Sequence, residues 1–141
     1  MEEKIIICAD VIAKYKGKIV LVQRFTKPPG FALPGGKLDP GEFLSDTIKR
    51  EFLEETGLVL EVDDVLSMFA KKDRDPRGRY ISTVFIGHAI GKPKDEPNKT
   101  EVIFATIEEL PRIKDKFIFD HWEILENYLD LLKAKGGSDG K

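Results

Sequence analysis

Acidic side chains are concentrated in one short stretch of the chain, and their spacing could assemble a metal site. At about 100° of rotation per helical residue, Glu51, Glu54 and Glu55 would share one side of a helix within an arc of roughly 100°. Carboxylates this close repel one another unless a cation lies between them. Mg²⁺ prefers oxygen ligands and is commonly held by carboxylates together with substrate phosphates. The stretch therefore predicts a metal site for phosphate chemistry, with a solvated acidic helix face as the alternative.

A helix from about Leu44 to Thr56 is predicted to position these acids. Its apolar residues recur every four positions and give one buried stripe, formed by Leu44, Ile48 and Phe52. Gly57 is suited to end the helix as the residue after the C-cap. The start of the helix stays open, because Ser45 is a suitable N-cap and Phe43 is a poor one.

The remaining elements are read from β-rich runs and a second helical pattern. Lys16-Gly17 is a tight-turn signal between two strands, which predicts a hairpin at the start of the fold. The predicted strands are Ile5–Ala13, Lys18–Arg24, Leu58–Lys71, Tyr80–Ile90 and Val102–Ile107. A second helix is predicted over Ile118–Ala134, with Trp122 on its apolar stripe. Strands combined with two helices indicate an α+β or α/β sandwich.

Composition limits the classes of protein that this chain could be. The 141 residues fit one domain, predicted over residues 1–134, with a disordered tail at 135–141. A net charge of −2 without a polybasic stripe disfavours nucleic acid as an obligatory partner. The single Cys8, and the lack of an apolar leader or of a run long enough to span a membrane, predict a cytoplasmic protein without a membrane partner.

The acidic stretch resembles the Nudix box at every fixed position. The matching residues run from Gly36 to Leu58, in the spacing Gly36-x5-Glu42-x7-Arg50-Glu51-Phe52-x-Glu54-Glu55-x-Gly57-Leu58. Phe52 is a soft departure, because the family usually carries an aliphatic residue there. The resemblance implies the α/β/α sandwich of the Nudix fold, with a mixed β-sheet between helices. It also implies a pyrophosphohydrolase that cleaves the diphosphate bridge of a nucleoside diphosphate linked to another group.

The same resemblance implies roles for the residues of the box. Glu51, Glu54 and Glu55 would bind Mg²⁺, or Mn²⁺ in its place, with help from the backbone near Gly35-Gly36. Arg50 and Glu42 would orient these acids; for Arg50, an ion pair to the residue four positions later is the alternative. The general base that activates water stays open among the following carboxylates: Glu51, Glu55, Asp95, Glu96 and Glu101.

Substrate preference must come from outside the box, and an arginine-rich segment is the most informative region. Arg74, Arg77 and Arg79 lie between two predicted strands, where planar guanidinium groups could bind phosphate. A solvated turn is the alternative. The run Arg74-Asp75-Pro76-Arg77-Gly78 resembles a segment of the ADP-ribose pyrophosphatase branch of Nudix enzymes, and of related Nudix regulators. Phe119-Asp120-His121 is similar to a second feature of that branch.

A few single residues complete the predicted site. Arg24 is a candidate phosphate contact, and Phe31 and Tyr80 could stack on a nucleobase, although core packing is the commoner role for such rings. The histidines, His88 and His121, are read as structural hydrogen-bonding residues.

We therefore expect hydrolysis of ADP-ribose to AMP and ribose 5-phosphate. Other nucleoside diphosphate sugars, dinucleoside polyphosphates, damaged nucleoside triphosphates and a non-catalytic ligand sensor are alternatives. Resemblance to this branch also implies a homodimer.

Overall fold

The computed structural model describes residues 3–136, in which a mixed β-sheet lies between two helices. The strands are β1 (Ile5–Tyr15), β2 (Lys18–Arg24), β3 (Gly30–Ala32), β4 (Gly35–Lys37), β5 (Val59–Phe69), β6 (Arg79–Ile90) and β7 (Thr100–Ala105). The helices are α1 (Leu44–Thr56) and α2 (His121–Ala134), and a 3-10 helix spans Leu110–Lys116. Within residues 3–136, no helix has the length and apolar character needed to cross a membrane.

The central strand β1 has partners on both sides. It runs parallel to β6 and antiparallel to β2 and β4, so the sheet order is β3-β2-β1-β6-β5, with β4 on β1 and β7 on β2. Alternate residues of β1 face opposite layers. Val11 packs in the cluster that contains Ile48 and Phe52 of α1, whereas Ile12 packs with Ile124 and Leu125 of α2. The predicted α/β/α sandwich is confirmed.

Helix α1 matches its predicted bounds. Gly57 ends it in the left-handed conformation, with φ of 75°, and its N–H donates to Leu53 O at 2.9 Å. At the other end, where the start of the helix was left open, Phe43 rather than Ser45 occupies the N-cap position, without a side-chain cap bond. The carboxylate of Asp46 instead accepts a hydrogen bond from Phe43 N–H at 3.0 Å. The helix begins without a conventional N-cap side chain.

Helix α2 starts later than predicted, at His121 rather than Ile118. Ile118 N–H donates to Phe31 O at 3.0 Å, which ties this residue to β3. Phe119 then adopts a left-handed conformation, with φ of 54°, which a helix cannot contain. Ile118 therefore packs in a separate small cluster with Val22 and Ala32.

Smaller differences concern short elements and strand ends. The short elements β3, β4 and the 3-10 helix were not predicted, because they lack a periodic apolar pattern. The predicted bounds of β1, β5, β6 and β7 differ from the observed ones by one or two residues at one or both ends. Of the predicted disordered tail, residues 137–141 lie outside the described part of the chain.

Phe52 allows a direct test of how α1 is held on the sheet. Its side chain is fully buried, whereas that of the next residue, Leu53, is 51% exposed. We expect Phe52→Ala to lower the free energy of unfolding by about 3–5 kcal/mol, because it leaves a cavity. The control Leu53→Ala should change it by only about 0.5 kcal/mol. Urea denaturation of both variants measures the difference, and equal effects would contradict this packing.

Candidate active site

Arg50 forms hydrogen bonds with two carboxylates of the candidate site. Its Nε donates to Glu42 Oε2 at 2.7 Å and its Nη2 to Glu42 Oε1 at 3.1 Å, a bidentate pair between α1 and the loop before it. Its Nη1 donates to Glu51 Oε2 at 3.0 Å. The hydrogen bonds from Arg50 are the main reason that the pKa of Glu42 falls to about 2. Both acids are thereby held in fixed orientations.

The same guanidinium makes further contacts that reach around the loop. Its Nη2 donates to Lys37 O at 3.1 Å and lies 3.3 Å from Asp39 Oδ2. Glu54, four residues further along the helix, lies 3.7 Å from Nη1, a longer contact than those to Glu42 and Glu51. Arg50 thus does more than form the simple ion pair along the helix that was considered for it.

Gly36 is adjacent to the carboxylate of Glu51. A Cβ atom at Gly36 would lie 2.3 Å from Glu51 Cδ and 2.4 Å from its Oε2. No side chain fits there unless the carboxylate moves. The glycine of the box therefore allows the backbone of β4 to approach Glu51 closely.

Glu55 is a buried carboxylate close to the other glycine. Its Oε1 accepts a hydrogen bond from Gly35 N–H at 2.9 Å, and within residues 3–136 it forms no ion pair. Burial raises the pKa of Glu55 well above its ordinary value, and burial also raises that of Glu51. A buried anion of this kind is costly unless a cation accompanies it.

Two cavities adjoin at this point. The outer cavity, of about 290 Å³, is lined by Arg24, Glu51, Glu54, Glu55, Glu96 and Lys99. The inner cavity, of about 140 Å³, is lined by residues that include Asp10, Arg24, Glu55, Arg77, Phe119 and His121. Arg24 and Glu55 contribute to both cavities.

The donor set of the outer cavity fits a hard divalent cation. Glu51, Glu54 and Glu55 would supply carboxylate oxygens, and the Gly35-Gly36 backbone lies beside two of them. Within the described residues, however, no three acidic, histidine or cysteine side chains are already arranged as a metal site. In this arrangement Arg50 holds Glu51 and the Gly35 amide holds Glu55.

The predicted loop carboxylates lie in different surroundings. Glu96 lines the outer cavity and lies 3.8 Å from Lys99 Nζ. Asp95 accepts a hydrogen bond from Val102 N–H at 2.9 Å, which fixes the loop before β7. Glu101 is exposed on β7 and does not line either cavity. Only Glu96 of the three is beside the acids of the box.

The arginines of the arginine-rich segment form ion pairs and hydrogen bonds with other residues of the protein. Arg74, whose side chain is only 4% exposed, forms a bidentate ion pair with Asp120 at 2.7 and 2.8 Å. Arg77 is held by Asp75 at 2.9 Å. Arg79 donates to Ala70 O and lies away from both cavities. The first ion pair attaches the segment to the start of α2.

Arg77 nevertheless faces the inner cavity. Its guanidinium carbon lies 4.9 Å from the centre of the Tyr80 ring and 4.8 Å from that of Phe119. Both rings therefore have a face covered by a cation. Phe31 lies elsewhere, in edge-to-face contact with Phe117 at 6.1 Å, and does not line either cavity.

Arg24 is placed where the cavities meet. Its Nη2 donates to Lys27 O at 3.0 Å, and its guanidinium carbon lies 5.8 Å from the Phe119 ring centre. Its Nε is buried, and no hydrogen-bond partner for it occurs among the described residues. A buried donor without a partner calls for a ligand or a water molecule.

Asp10, Ser82 and His121 of the inner cavity region were not predicted as site residues. Asp10 is 8% exposed, and its Oδ2 accepts a hydrogen bond from Ser82 at 2.5 Å. Burial is the main cause that raises the pKa of Asp10 to about 6. Its position in an otherwise apolar strand is the sequence signal that could have identified it.

The histidines have the structural contacts that the sequence suggested. His121 Nδ1 accepts a hydrogen bond from Leu33 N–H at 2.9 Å, and burial lowers the pKa of His121 to about 4. His88 is exposed, and its Nδ1 lies 2.9 Å from Asp63. Trp122 is half-buried and packs against the core cluster of α2, with its ring 6.1 Å from that of Phe117.

Comparison with known proteins identifies the family. The NUDIX domain matches residues 6–128. The chain is 38% identical over 128 residues to the ADP-ribose pyrophosphatase of Methanocaldococcus jannaschii, covering 87% of this chain and 72% of that protein. The chain therefore belongs to the Nudix hydrolase family, and the prediction of a Nudix-type pyrophosphatase is confirmed at that level.

Solved structures share the fold. The NUDIX domain of Shewanella oneidensis NrtR in complex with ADP ribose has a TM-score of 0.78 at 22% identity, covering 93% of this chain and 90% of that one. A bifunctional NMN adenylyltransferase/ADP ribose pyrophosphatase from Francisella tularensis has a TM-score of 0.78 at 23% identity. The match covers 92% of this chain but only 42% of the Francisella protein.

The buried neutral His121 predicts a pH dependence of stability. Its pKa is about 4 when folded, against an ordinary value of 6.5, so the unfolded chain binds a proton more readily between these values. The contribution of His121 is complete above pH 6.5 and is lost as the pH falls towards 4. Acidification from pH 7 to 5 should cost the wild type about 2 kcal/mol more than His121→Asn. Urea unfolding at both pH values measures this, and parallel losses would contradict a neutral buried His121.

Proposed function

We propose that this chain is a Mg²⁺-dependent pyrophosphohydrolase of nucleoside diphosphates linked to a second group. Its preferred substrate would be ADP-ribose, which water cleaves to AMP and ribose 5-phosphate. Mn²⁺ would also serve as the metal ion in place of Mg²⁺. The observation that carries the proposal is that Glu55 and Arg24 line both cavities, and that the buried Arg24 Nε has no hydrogen-bond partner within residues 3–136. A diphosphate placed there would lie between metal-binding carboxylates and a cationic donor.

The residues of the outer cavity would have different roles in the reaction. Glu51, Glu54 and Glu55 would hold the metal, and a bound divalent ion would neutralise phosphate charge and lower the pKa of a water molecule. Arg50 would keep Glu51 in position through Nη1. Arg24 would donate its free Nε–H to a phosphate oxygen. The general base would be one of the predicted carboxylates that line this cavity, namely Glu51, Glu55 and Glu96.

Two observations support ADP-ribose as the substrate. The relative that is 38% identical is named an ADP-ribose pyrophosphatase. In addition, Arg77 and Tyr80 line the inner cavity, which adjoins the outer cavity at Arg24 and Glu55. Arg74 would act by holding the arginine-rich segment on Asp120. We leave Arg79 and Phe31 out of the proposed contacts, because neither lines a cavity.

We also propose that the protein is a cytoplasmic homodimer. Strand β5 is an unpaired edge of the sheet in the described residues, and it exposes Val65 and Met68 by 50% and 59%. Such an edge is suited to pairing with a second copy. Cys8 is a buried free thiol, in keeping with a reducing compartment. Sedimentation of the purified protein at twice its 16.0 kDa mass would support the dimer, and sedimentation at 16.0 kDa would refute it.

Turnover by Glu54→Gln tests the proposed function. Purified protein with MgCl₂ should convert ADP-ribose to AMP in preference to UDP-sugars, diadenosine polyphosphates and nucleoside triphosphates. Loss of the Glu54 carboxylate should lower kcat/KM at least about 100-fold, because losing a metal ligand has a larger effect than losing a residue that only orients such a ligand. The control Glu126→Gln removes an exposed carboxylate of α2 and should have no effect.

Chromatography of the products distinguishes the alternatives. Preference for a polyphosphate would retain the metal chemistry but refute ADP-ribose as the substrate. No metal-dependent turnover of any compound would refute the enzyme and favour the ligand sensor. Removal of the metal with EDTA should abolish turnover, and added Mg²⁺ should restore it.

A further inference from the structure

The inner cavity contains polar atoms that the fold itself does not use. Asp10, on β1, and His121, at the start of α2, both line it. Each makes one hydrogen bond that fixes its orientation, and each keeps a second polar atom without a partner in residues 3–136. Both residues are more than nine-tenths buried, yet these two atoms belong to side chains that line a cavity, which suits them to bind a ligand.

Asp10 is oriented as a hydrogen-bond acceptor. Ser82 Oγ donates to its Oδ2 at 2.5 Å, which leaves Oδ1 free. Backbone pairing of Asp10 with Gly35 holds the carboxylate against β4, where a Cβ at Gly35 would lie 2.1 Å from Oδ1. The side chain therefore cannot be displaced easily towards β4. Its free oxygen can accept a hydrogen bond from a donor in the cavity.

His121 is oriented as a hydrogen-bond donor. Because its Nδ1 accepts a hydrogen bond from Leu33 N–H at 2.9 Å, the proton of the neutral ring belongs on Nε2. No described residue accepts a hydrogen bond from Nε2. The cavity thus has a carboxylate acceptor and an imidazole donor. A hydroxyl group matches this pair, because it donates and accepts at once.

The walls of the inner cavity favour a sugar over a nucleobase. The Arg77 guanidinium already covers a face of both Tyr80 and Phe119, so the stacking surface that a base needs is partly taken. The inner cavity has a volume of about 140 Å³. A compact, hydroxyl-rich ring suits this space.

We propose that the inner cavity binds the sugar on the far side of the diphosphate bridge, with Asp10 Oδ1 and His121 Nε2–H contacting its hydroxyl groups. This inference rests on the proposed function, since the diphosphate would lie at Arg24 and Glu55, where the cavities meet. Asp10 and His121 are then specificity residues for a nucleoside diphosphate sugar. Ser82 is a positioning residue that acts through Asp10.

A pair of substrates separates sugar recognition from the chemistry. ADP-ribose and the ethyl ester of ADP share the nucleoside and the diphosphate, but only ADP-ribose carries a second sugar. Asp10→Asn keeps the acceptor for Ser82 and replaces the free oxygen by a donor. We expect it to lower the ratio of kcat/KM for ADP-ribose over the ethyl ester by about 10- to 100-fold. His121→Asn, which retains an acceptor for Leu33 N–H, should lower the same ratio.

Asp63 provides a control variant for this comparison. Asp63→Asn removes an exposed carboxylate that pairs with His88, and it should leave the ratio unchanged. Equal losses on both substrates in Asp10→Asn would overturn the inference, because Asp10 would not distinguish the second sugar. Circular dichroism and thermal unfolding establish that each variant is folded.

If neither compound is hydrolysed, the proposed function has failed. A binding measurement then tests the inference about the sugar. Calorimetric titration with ribose 5-phosphate then replaces turnover. Binding that Asp10→Asn weakens about tenfold, and that Asp63→Asn does not, would support the sugar site. Equal affinity in Asp10→Asn and wild type, or no binding to the wild type, would overturn it.

Discussion

The ion pair between Arg50 and Glu42 is the interaction on which the geometry of the site depends. Two hydrogen bonds, at 2.7 and 3.1 Å, join the second turn of α1 to the loop that precedes the helix. The remaining nitrogen holds Glu51 at 3.0 Å, against the bare backbone of Gly36. One cation thereby orients several carboxylates that would otherwise repel one another. Because the pair is bidentate, it sets direction as well as distance.

Glu55 contributes the opposite electrostatic feature, a carboxylate that forms no ion pair within residues 3–136. The single hydrogen bond from Gly35 does not offset the cost of burial, as the raised pKa of Glu55 indicates. A divalent cation would supply the missing charge. The glycine pair matters for the same reason, since Gly36 allows the backbone to approach Glu51 and the Gly35 N–H donates to Glu55. The burial of Glu55 therefore costs stability at the place where the proposed chemistry needs a cation.

Much of this architecture was accessible from sequence because it depends on local patterns. The bounds of α1 follow from apolar residues at four-residue spacing and from Gly57, the left-handed residue that ends the helix. The box supplied the identity of the site through its spacing. The start of α2 was misplaced because Ile118 continues the helical spacing, although its backbone N–H bonds to Phe31 in the sheet.

Other features depend on contacts between residues far apart in the chain, which spacing does not reveal. Arg74 has the residue type of a phosphate ligand, but its partner is Asp120, 46 residues later. Asp10 is a lone acid in an apolar strand, and its role is visible only in the fold, where Ser82 bonds to it and His121 lines the same cavity. Neither relation has a local signature. The inner cavity could therefore be recognised only in three dimensions.

Direct measurement of metal binding tests the central claim, that the buried Glu55 carboxylate and its neighbours form a cation site. Electron paramagnetic resonance of Mn²⁺ titrated into wild type and Glu55→Gln reports bound ion without any turnover. Our account predicts saturable Mn²⁺ binding that Mg²⁺ displaces, and a loss of affinity of at least about tenfold in a folded Glu55→Gln protein. Equal Mn²⁺ affinity in the two proteins would contradict it.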